Sequence, residues 1–256
     1  MEKSVFLSAA AVLCLLAIPR AVRAQTDEIQ VYDAELTPVG KFNLTWHNNF
    51  TPEGNAVPAF PGANVADKSW NGVTEWAYGV TPWFEAGLYL PLYSYDKNLG
   101  EVYDGFKLRA LFAVPHAADR TFFYGVNFEF SINQKHWDDN RFSSEIRPII
   151  GWHLKPWDII INPILDTEYD GLKNLTFAPA SRIAYNFNDK WALAAEEYAE
   201  YGPLRGFYSA SNQSHMLYAV VDHTMKLFEF EAGAGFGLTS ATDSVTLKLL
   251  LIKDLN

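Results

Sequence analysis

The sequence predicts an all-β protein, a transmembrane antiparallel up-and-down β-barrel of about twelve strands. Three observations predict this fold. Apolar and polar residues alternate along most of the chain, short turns and longer polar loops succeed one another, and aromatic residues gather at the predicted strand ends. Such alternation turns one face of each strand toward lipid and the other toward the barrel interior. It would also fit a soluble β-sandwich, but a sandwich has no reason to place aromatic residues at the ends of one outward face.

The first 24 residues are predicted to form a cleaved signal peptide that is not part of the fold. Lys3 gives a short basic start, residues 5–18 are apolar, and residues 22–24 offer a cleavage position. The apolar run is too short to span a membrane. Cys14, the one cysteine of the sequence, lies in this run. We therefore expect an exported chain without disulfides, directed to the bacterial outer membrane.

Charge and composition narrow the class of function. The formal net charge of -10 makes nucleic acid a poor candidate for a partner. The apolar runs after the signal peptide are far too short for a spanning helix, so a membrane form has to be a closed barrel. Residues 25–40 are polar with weak alternation, and we expect them to be a periplasmic lead-in to a barrel of residues 41–256, or a strand that folds against that barrel.

Twelve alternating segments follow the lead-in. In the third, we expect Leu90 and Leu92 on the lipid face, opposite Glu85 and Tyr89. Proceeding along the chain, the segments are 41–50, 70–80, 83–94, 103–114, 121–133, 141–153, 157–169, 175–187, 191–201, 214–224, 227–238 and 244–253. Connections after even-numbered segments are short, and those after odd-numbered segments are usually longer and polar. In outer-membrane barrels short turns face the periplasm and long loops face outside.

Aromatic residues flank the short turns and predict a girdle at one membrane interface. The members of this girdle are Tyr78, Trp83, Phe122, Trp152, Trp157, Phe187, Trp191 and Phe228. A second set near the long loops comprises Phe50, Tyr93, Tyr103, Phe142, Tyr169 and Tyr201. We therefore expect contact with outer-membrane lipid and lipopolysaccharide, and insertion by the barrel-assembly machinery. The chain departs from the usual aromatic last residue of bacterial barrels, since it ends at Asn256.

Residues 78–91, YGVTPWFEAGLYLP, fit the hairpin pattern YG(L/V)T-xx-(F/L)E-x-G-(L/V)-x-x-P. The pattern resembles that of proteobacterial outer-membrane barrels grouped around the phenol-degradation MetA-pathway protein, with uncharacterised transporter-like relatives. The resemblance covers about 14 residues, beyond which only the strand rhythm agrees. It implies a barrel that passes small organic or aromatic compounds, and it brings no catalytic residues with it.

The inward face of the predicted barrel is acidic. The charges we expect in the lumen are Lys107, Arg109, Glu129, Glu145, Arg147, Asp166, Arg182, Glu196, Glu229 and Glu231. The same face carries Glu75, Glu85, Asp158, Glu200 and Lys248. One interpretation is a cation-preferring channel for small solutes, because charge of one sign focuses the field along a pore. The other is a closed barrel, filled by ion pairs and used for envelope structure or surface interaction, since twelve strands lie between the filled and open cases.

Enzymatic chemistry has little support in the sequence. Ser214 and His215 are the nearest candidates for an outer-membrane lipid hydrolase, but adjacent residues on a strand point to opposite faces. The histidines lack metal-ligand spacing, and the common catalytic motifs are absent from the sequence. We therefore expect no catalytic residues, no metal and no cofactor, with a small-molecule solute as the ligand.

Overall fold

The computed structural model describes residues 27–255, and the predicted signal peptide lies outside them. The strands of this described part are β1 (Phe42–Glu53), β2 (Ser69–Thr81), β3 (Phe84–Asp96), β4 (Gly100–Ala113), β5 (Phe122–Asn133), β6 (Phe142–Leu154), β7 (Trp157–Asn162), β8 (Leu165–Thr167), β9 (Thr176–Phe177), β10 (Ala180–Asn188), β11 (Trp191–Glu200), β12 (Gly202–Pro203), β13 (Ser214–Thr224), β14 (Glu229–Gly237) and β15 (Val245–Asp254). Two 3₁₀ turns, Ala117–Asp119 and Leu172–Asn174, lie between strands. Helices long and apolar enough to cross a membrane do not occur in residues 27–255.

Twelve of the described strands close into an antiparallel barrel, which confirms the predicted fold class. The first and last strands pair, with Trp46 opposite Leu251. The ring is completed where β6 pairs with β7, which in turn pairs with β10. The short strands β8, β9 and β12 extend β7, β10 and β11 at their long-loop ends. Closure leaves no strand edge exposed, which is the condition for a sheet to lie in lipid.

Two predicted segments, 157–169 and 175–187, are each divided in the structure. The breaks fall at Pro163, between β7 and β8, and at Pro179, between β9 and β10. Proline lacks the N–H that a strand needs for its ladder, so pairing lapses at both positions. One hydrogen bond still joins the two chains between the breaks, from the Ala178 amide to the Ile164 carbonyl at 3.1 Å.

The barrel wall is apolar outside, and its inner face carries buried polar and charged side chains as well as apolar clusters. Trp46, Leu108 and Ile183 are exposed on the outer surface, whereas the side chains of His47 and Asn127 are fully buried in the interior. A soluble protein seldom buries so many charged side chains or exposes so many large apolar ones. The arrangement suits a barrel whose outer surface contacts lipid.

A β-bulge in β3 overturns one expectation about its faces. The register of β3 with β4 shifts between Tyr89 and Leu92, where the Leu90–Pro91 peptide is cis. The extra residue changes which face the following side chains occupy. Leu92 was expected on the lipid face, but it is fully buried beside Val73 and Tyr89. Leu90, before the shift, does face outward.

The amino-terminal segment, residues 27–40, lies inside the barrel. Tyr32 is bound through its backbone by Asn162, whose Oδ1 accepts from the Tyr32 amide at 2.8 Å and whose Nδ2 donates to the Tyr32 carbonyl at 3.0 Å. At the short-turn end the Gly40 amide donates to the Gly79 carbonyl at 2.8 Å. A Cβ at Gly79 would lie 2.2 Å from the Thr37 carbonyl oxygen, so the close approach requires glycine.

This position differs from the periplasmic lead-in expected for residues 25–40, of which the structure describes 27–40. Two kinds of interaction, apolar burial and contacts with basic side chains, hold the segment inside the barrel. The side chains of Ile29, Val31 and Tyr32 are buried in apolar clusters against the wall. The segment also supplies carboxylates to Lys107 and Arg147, each of which has one further carboxylate partner on the wall. These added contacts offset the desolvation of the buried charges, which costs several kcal/mol for each ion.

Candidate solute path through the barrel

Arg109, on β4, is the centre of a first group of buried charges. Its Nη2 lies 2.8 Å from Glu75 Oε1 and also contacts Glu85. His47 Nε2 lies 3.1 Å from the second oxygen of Glu75. Strands β1 to β4 are neighbours in the wall, and their inward faces bring these four side chains together. The positive charge of Arg109 is therefore balanced by the two carboxylates of Glu75 and Glu85.

Lys107 and Arg147 bind the amino-terminal segment. Lys107 Nζ lies 2.8 Å from Asp27 Oδ2 and 3.4 Å from a Glu129 oxygen. Arg147 Nη1 donates to Glu28 Oε1 at 3.3 Å and to the Gln30 carbonyl at 3.0 Å. The rest of the Arg147 guanidinium pairs with the carboxylate of Glu145, two residues away, at 2.5 Å. These contacts hold residues 27–30 across the middle of the lumen.

A second group of charges lies on the strands of the other side of the barrel. Arg182 contacts Glu196 and Asp222, and its Nη1 lies 3.1 Å from Glu231 Oε2. Lys248, whose side chain is fully buried, contacts Glu196 and lies 2.5 Å from Glu231 Oε1. Three carboxylates therefore share two cations, and each cation bridges more than one strand.

A row of carboxylates crosses three neighbouring strands. Glu129 on β5 is directly opposite Glu145 on β6, and Glu145 is directly opposite Asp166 on β8. Like charges that face each other across strands destabilise a sheet. Lys107 and Arg147 offset Glu129 and Glu145, but Asp166 forms no ion pair with any residue in the described range, 27–255.

Two cavities enter the barrel from its two ends. The loop-end cavity, of about 560 Å³, lies among the long loops and the upper strand ends. The turn-end cavity, of about 740 Å³, lies among the short turns. Gln30 lines both cavities, so the amino-terminal segment forms the partition between them. A continuous solute path would have to pass this partition.

The structure brings together most of the ten charges predicted for the lumen. Eight of them form ion pairs within the described residues, namely Lys107, Arg109, Glu129, Glu145, Arg147, Arg182, Glu196 and Glu231. Asp166 lines the loop-end cavity and Glu229 lines the turn-end cavity. The sequence reasoning missed Asp27, Glu28 and Asp222, which complete the network. Asp27 and Glu28 could have been found from the sequence, because they are two adjacent acids in the lead-in.

The eight residues of the predicted short-turn girdle lie along one end of the wall. Six of them are exposed on the outer surface: Tyr78, Trp83, Phe122, Trp157, Phe187 and Trp191. Trp152 and Phe228 are half-buried, and the Trp152 ring lies 5.7 Å from that of Phe122. Amphipathic aromatic rings are typical of the level where lipid headgroups begin. A role for these rings at a lipid interface stays a prediction.

Carboxylates also gather at the two mouths of the lumen. Beside the turn-end cavity, Asp33 and then burial raise the pKa of Glu35 to about 7, with smaller contributions from Glu229 and Asp254. In a long loop beside the loop-end cavity, burial raises the pKa of Glu168. Carboxyl groups with raised pKa values hold their protons more tightly and make both mouths sensitive to pH.

The proposed hydrolase pair does not meet in the structure. Ser214 Oγ lies 3.3 Å from Thr242 Oγ1, while His215 Nδ1 lies 3.0 Å from Glu197 Oε1 on the outer surface. A serine nucleophile needs its base within hydrogen-bond reach, and these two side chains are on opposite faces. Groups of three or more His, Cys, Asp or Glu side chains arranged to hold a metal are not found in residues 27–255.

The closed barrel, its apolar outer surface and its charged interior define a transmembrane β-barrel of the outer-membrane type. No family model matches the chain, and a search of curated proteins finds no match. The hairpin resemblance of residues 78–91 to the MetA-pathway-like family therefore stays a prediction.

Solved structures share the fold. An outer-membrane channel from Pseudomonas putida F1 matches with a TM-score of 0.60 and 13% identity, over 89% of this chain and 100% of that one. The KdgM porin, solved in complex with disordered oligogalacturonate, matches with a TM-score of 0.52 and 8% identity, over 84% of this chain and 99% of that one. At these identities the likeness concerns the fold, and both structures are channels and not enzymes.

Proposed function

We propose that the protein is an outer-membrane channel through which small solutes pass passively, with a preference for cations. The observation that carries the proposal is the pair of cavities, which enter the lumen from opposite ends and are separated by one segment at Gln30. A wall sealed by packed side chains alone would leave no such spaces. The similar solved structures, a channel and a porin, support the same class of function.

The chemistry of the lumen favours cations over anions. Carboxylates outnumber basic side chains around the loop-end cavity, where the described residues include ten Asp or Glu against three Lys or Arg. The low-dielectric wall of a barrel concentrates this field and raises the local concentration of cations. The exposed aromatic residues at the short-turn end would lie at the lipid headgroups. Outer-membrane lipid and lipopolysaccharide are accordingly the proposed surroundings.

Planar-bilayer recording of the refolded protein in a KCl gradient tests this function. We expect discrete conductance steps and a reversal potential that reports cation preference. Arg147→Gln removes a positive charge where the segment crosses the lumen, so the reversal potential should move further toward the cation limit. Lys97→Gln, at a half-exposed loop pair with Asp67, is the matched control and should leave it unchanged. A folded, heat-modifiable protein that never conducts would contradict the proposal.

A closed barrel for envelope structure or surface interaction is the second candidate function. It is favoured by one observation, the ion pairs that join the amino-terminal segment to β4 and β6 of the barrel wall. In a channel, either these ion pairs have to break or a narrow path for the solute has to remain beside them. This alternative requires the result that would refute the channel, a folded protein that gives no conductance in planar bilayers.

A further inference from the structure

The loop-end cavity contains carboxyl groups that form no ion pair with a basic side chain of residues 27–255. Asp166 ends the row that begins at Glu129 and Glu145, and Glu200 lies on the same cavity wall at the end of β11. Within residues 27–255, the side chains of Asp166 and Glu200 form no ion pair and no hydrogen bond. Elsewhere in the lumen, Arg109, Arg182 and Lys248 each contact two or more carboxylates, so these two acids stand apart from the rest of the network.

A second observation concerns buried acceptor atoms on the same cavity. The Glu28 side chain is 2% exposed; its Oε1 pairs with Arg147, but its Oε2 has no hydrogen-bond partner in the described residues. Asn71, on the opposite wall and 5% exposed, has an Oδ1 that is likewise unpartnered within residues 27–255. Both atoms are acceptors, and a buried acceptor without a donor costs about 1–3 kcal/mol. The groups that line the cavity therefore favour a ligand that donates hydrogen bonds and carries positive charge.

Aromatic side chains provide apolar surface beside these groups. Phe60 and Trp137 from two long loops and Tyr208 from a third line the cavity together with the carboxylates. A cavity of about 560 Å³ is within the range of small-molecule sites. A metal ion would not use this apolar surface, and residues 27–255 contain no cluster of three ligating side chains that could hold one. The combination suits an organic cation with an apolar body.

We propose that the loop-end cavity is a binding site for a small organic ammonium ion, a protonated amine whose N–H groups donate to Asp166, Glu200 and Glu28. The inference rests on the proposed channel function, because it names the class of solute that the same lumen would take up. The ammonium group lies toward the carboxylate row and the apolar body contacts the loop aromatics. Quaternary ammonium ions lack N–H donors and bind more weakly, and carboxylate analogues are repelled.

Isothermal titration of the full, folded protein in detergent tests the site with 2-phenylethylammonium as the probe. The comparison ligands are its N,N,N-trimethyl derivative, which keeps the charge without N–H donors, and phenylacetate, which reverses the charge. We expect the primary amine to bind more tightly than the trimethyl derivative and phenylacetate not to bind. Asp166→Asn should weaken binding of the amine about 10- to 100-fold, the range of one charged hydrogen bond.

Asp139→Asn is the matched control, because Asp139 is exposed in the neighbouring loop and does not line the cavity. It makes the same change of charge and should leave the affinity unchanged. Heat modifiability on gels verifies folding of each variant, and Glu200→Gln repeats the test if Asp166→Asn does not fold. Equal binding of all three ligands, no binding of the amine, or equal loss in Asp139→Asn would overturn the inference.

The titration and the bilayer recording fail independently. A protein that conducts in KCl but does not bind the amine would refute the ammonium site and leave the channel function standing. A protein that binds the amine but never conducts would refute the channel function and leave the site standing as a binding pocket.

Discussion

Replacing Asn162 by alanine should release the amino-terminal segment from the barrel wall. Asn162 makes two hydrogen bonds to the backbone of Tyr32, at 2.8 and 3.0 Å, and is fully buried. Alanine would leave a buried amide and a buried carbonyl of the segment without these partners. At roughly 1–3 kcal/mol for each unsatisfied group, and with water able to replace part of the loss, the docked state should lose about 2–4 kcal/mol. That corresponds to an about 30- to 700-fold larger population of the displaced segment.

A cysteine in the segment measures this population. Val31 is buried, and the one natural cysteine, Cys14, lies in the predicted signal peptide, so Val31→Cys gives a single label site in the mature chain. When the segment redocks faster than a maleimide reacts, the labelling rate follows the displaced population. Asn162→Ala should therefore raise the labelling rate of Val31→Cys about 30- to 700-fold.

Two controls separate release of the segment from general loosening. Asn127 is another fully buried wall asparagine, but it bonds to Glu129 and not to the segment, so Asn127→Ala should leave the labelling rate nearly unchanged. A cysteine at Val57, exposed in a long loop, calibrates the intrinsic reaction rate. A change below about threefold in Asn162→Ala would refute the proposed anchor, since it lies far under the about 30-fold expected from two lost hydrogen bonds. An equal rise in Asn127→Ala would also refute it, because the effect would then not depend on contact with the segment.

Three further predictions concern stability. Lys248→Met should lower the free energy of unfolding by about 3–5 kcal/mol in urea titrations, because it leaves three carboxylates, Glu196, Asp222 and Glu231, to share Arg182 alone; a loss under 1 kcal/mol would contradict this. Gly151→Ala places a Cβ 2.0 Å from the Phe123 ring and should cost about 1–3 kcal/mol, whereas Gly206→Ala, with open space around it, should cost little. Because Glu35 has a pKa of about 7 against an ordinary value of 4.5, the unfolding free energy should decline from about pH 4.5 to about pH 7 and then level off. Glu35→Gln should flatten that decline, and an unchanged pH profile would count against the raised pKa.

The placement of the charges has a consequence for how the barrel is built. Buried ion pairs cost desolvation energy and are weak contributors to net stability, but removing one partner is expensive. The group around Arg109 joins β1 to β4, and the group around Lys248 joins several strands of the other side of the barrel. The group around Arg147 joins the wall to the amino-terminal segment. The network therefore specifies one arrangement of the lumen more than it stabilises the barrel.

Strand positions were predictable where the alternation is uninterrupted. Segment 214–224 coincides with β13, and segment 121–133 differs from β5 by one residue at its start. The errors occur where the backbone departs from a regular ladder. Pro163 and Pro179 divide two segments, and the bulge before Leu92 moves that side chain inside. Proline and bulges change pairing through backbone geometry, and a count of alternating residues does not register their effect on later positions.

The sequence by itself determined the fold class and, where the strands are uninterrupted, which side chains face inward, because the period of two along a strand and the aromatic strand ends follow from local geometry. Only the tertiary structure decided which charges meet. Arg147 joins Glu28 from a segment 119 positions earlier in the chain, and Lys248 on β15 joins Glu196 on β11, which is not its neighbour in the sheet. Closure of the ring sets those distances, and the entry of residues 27–40 into the lumen follows from burial and pairing with a wall that exists only after closure.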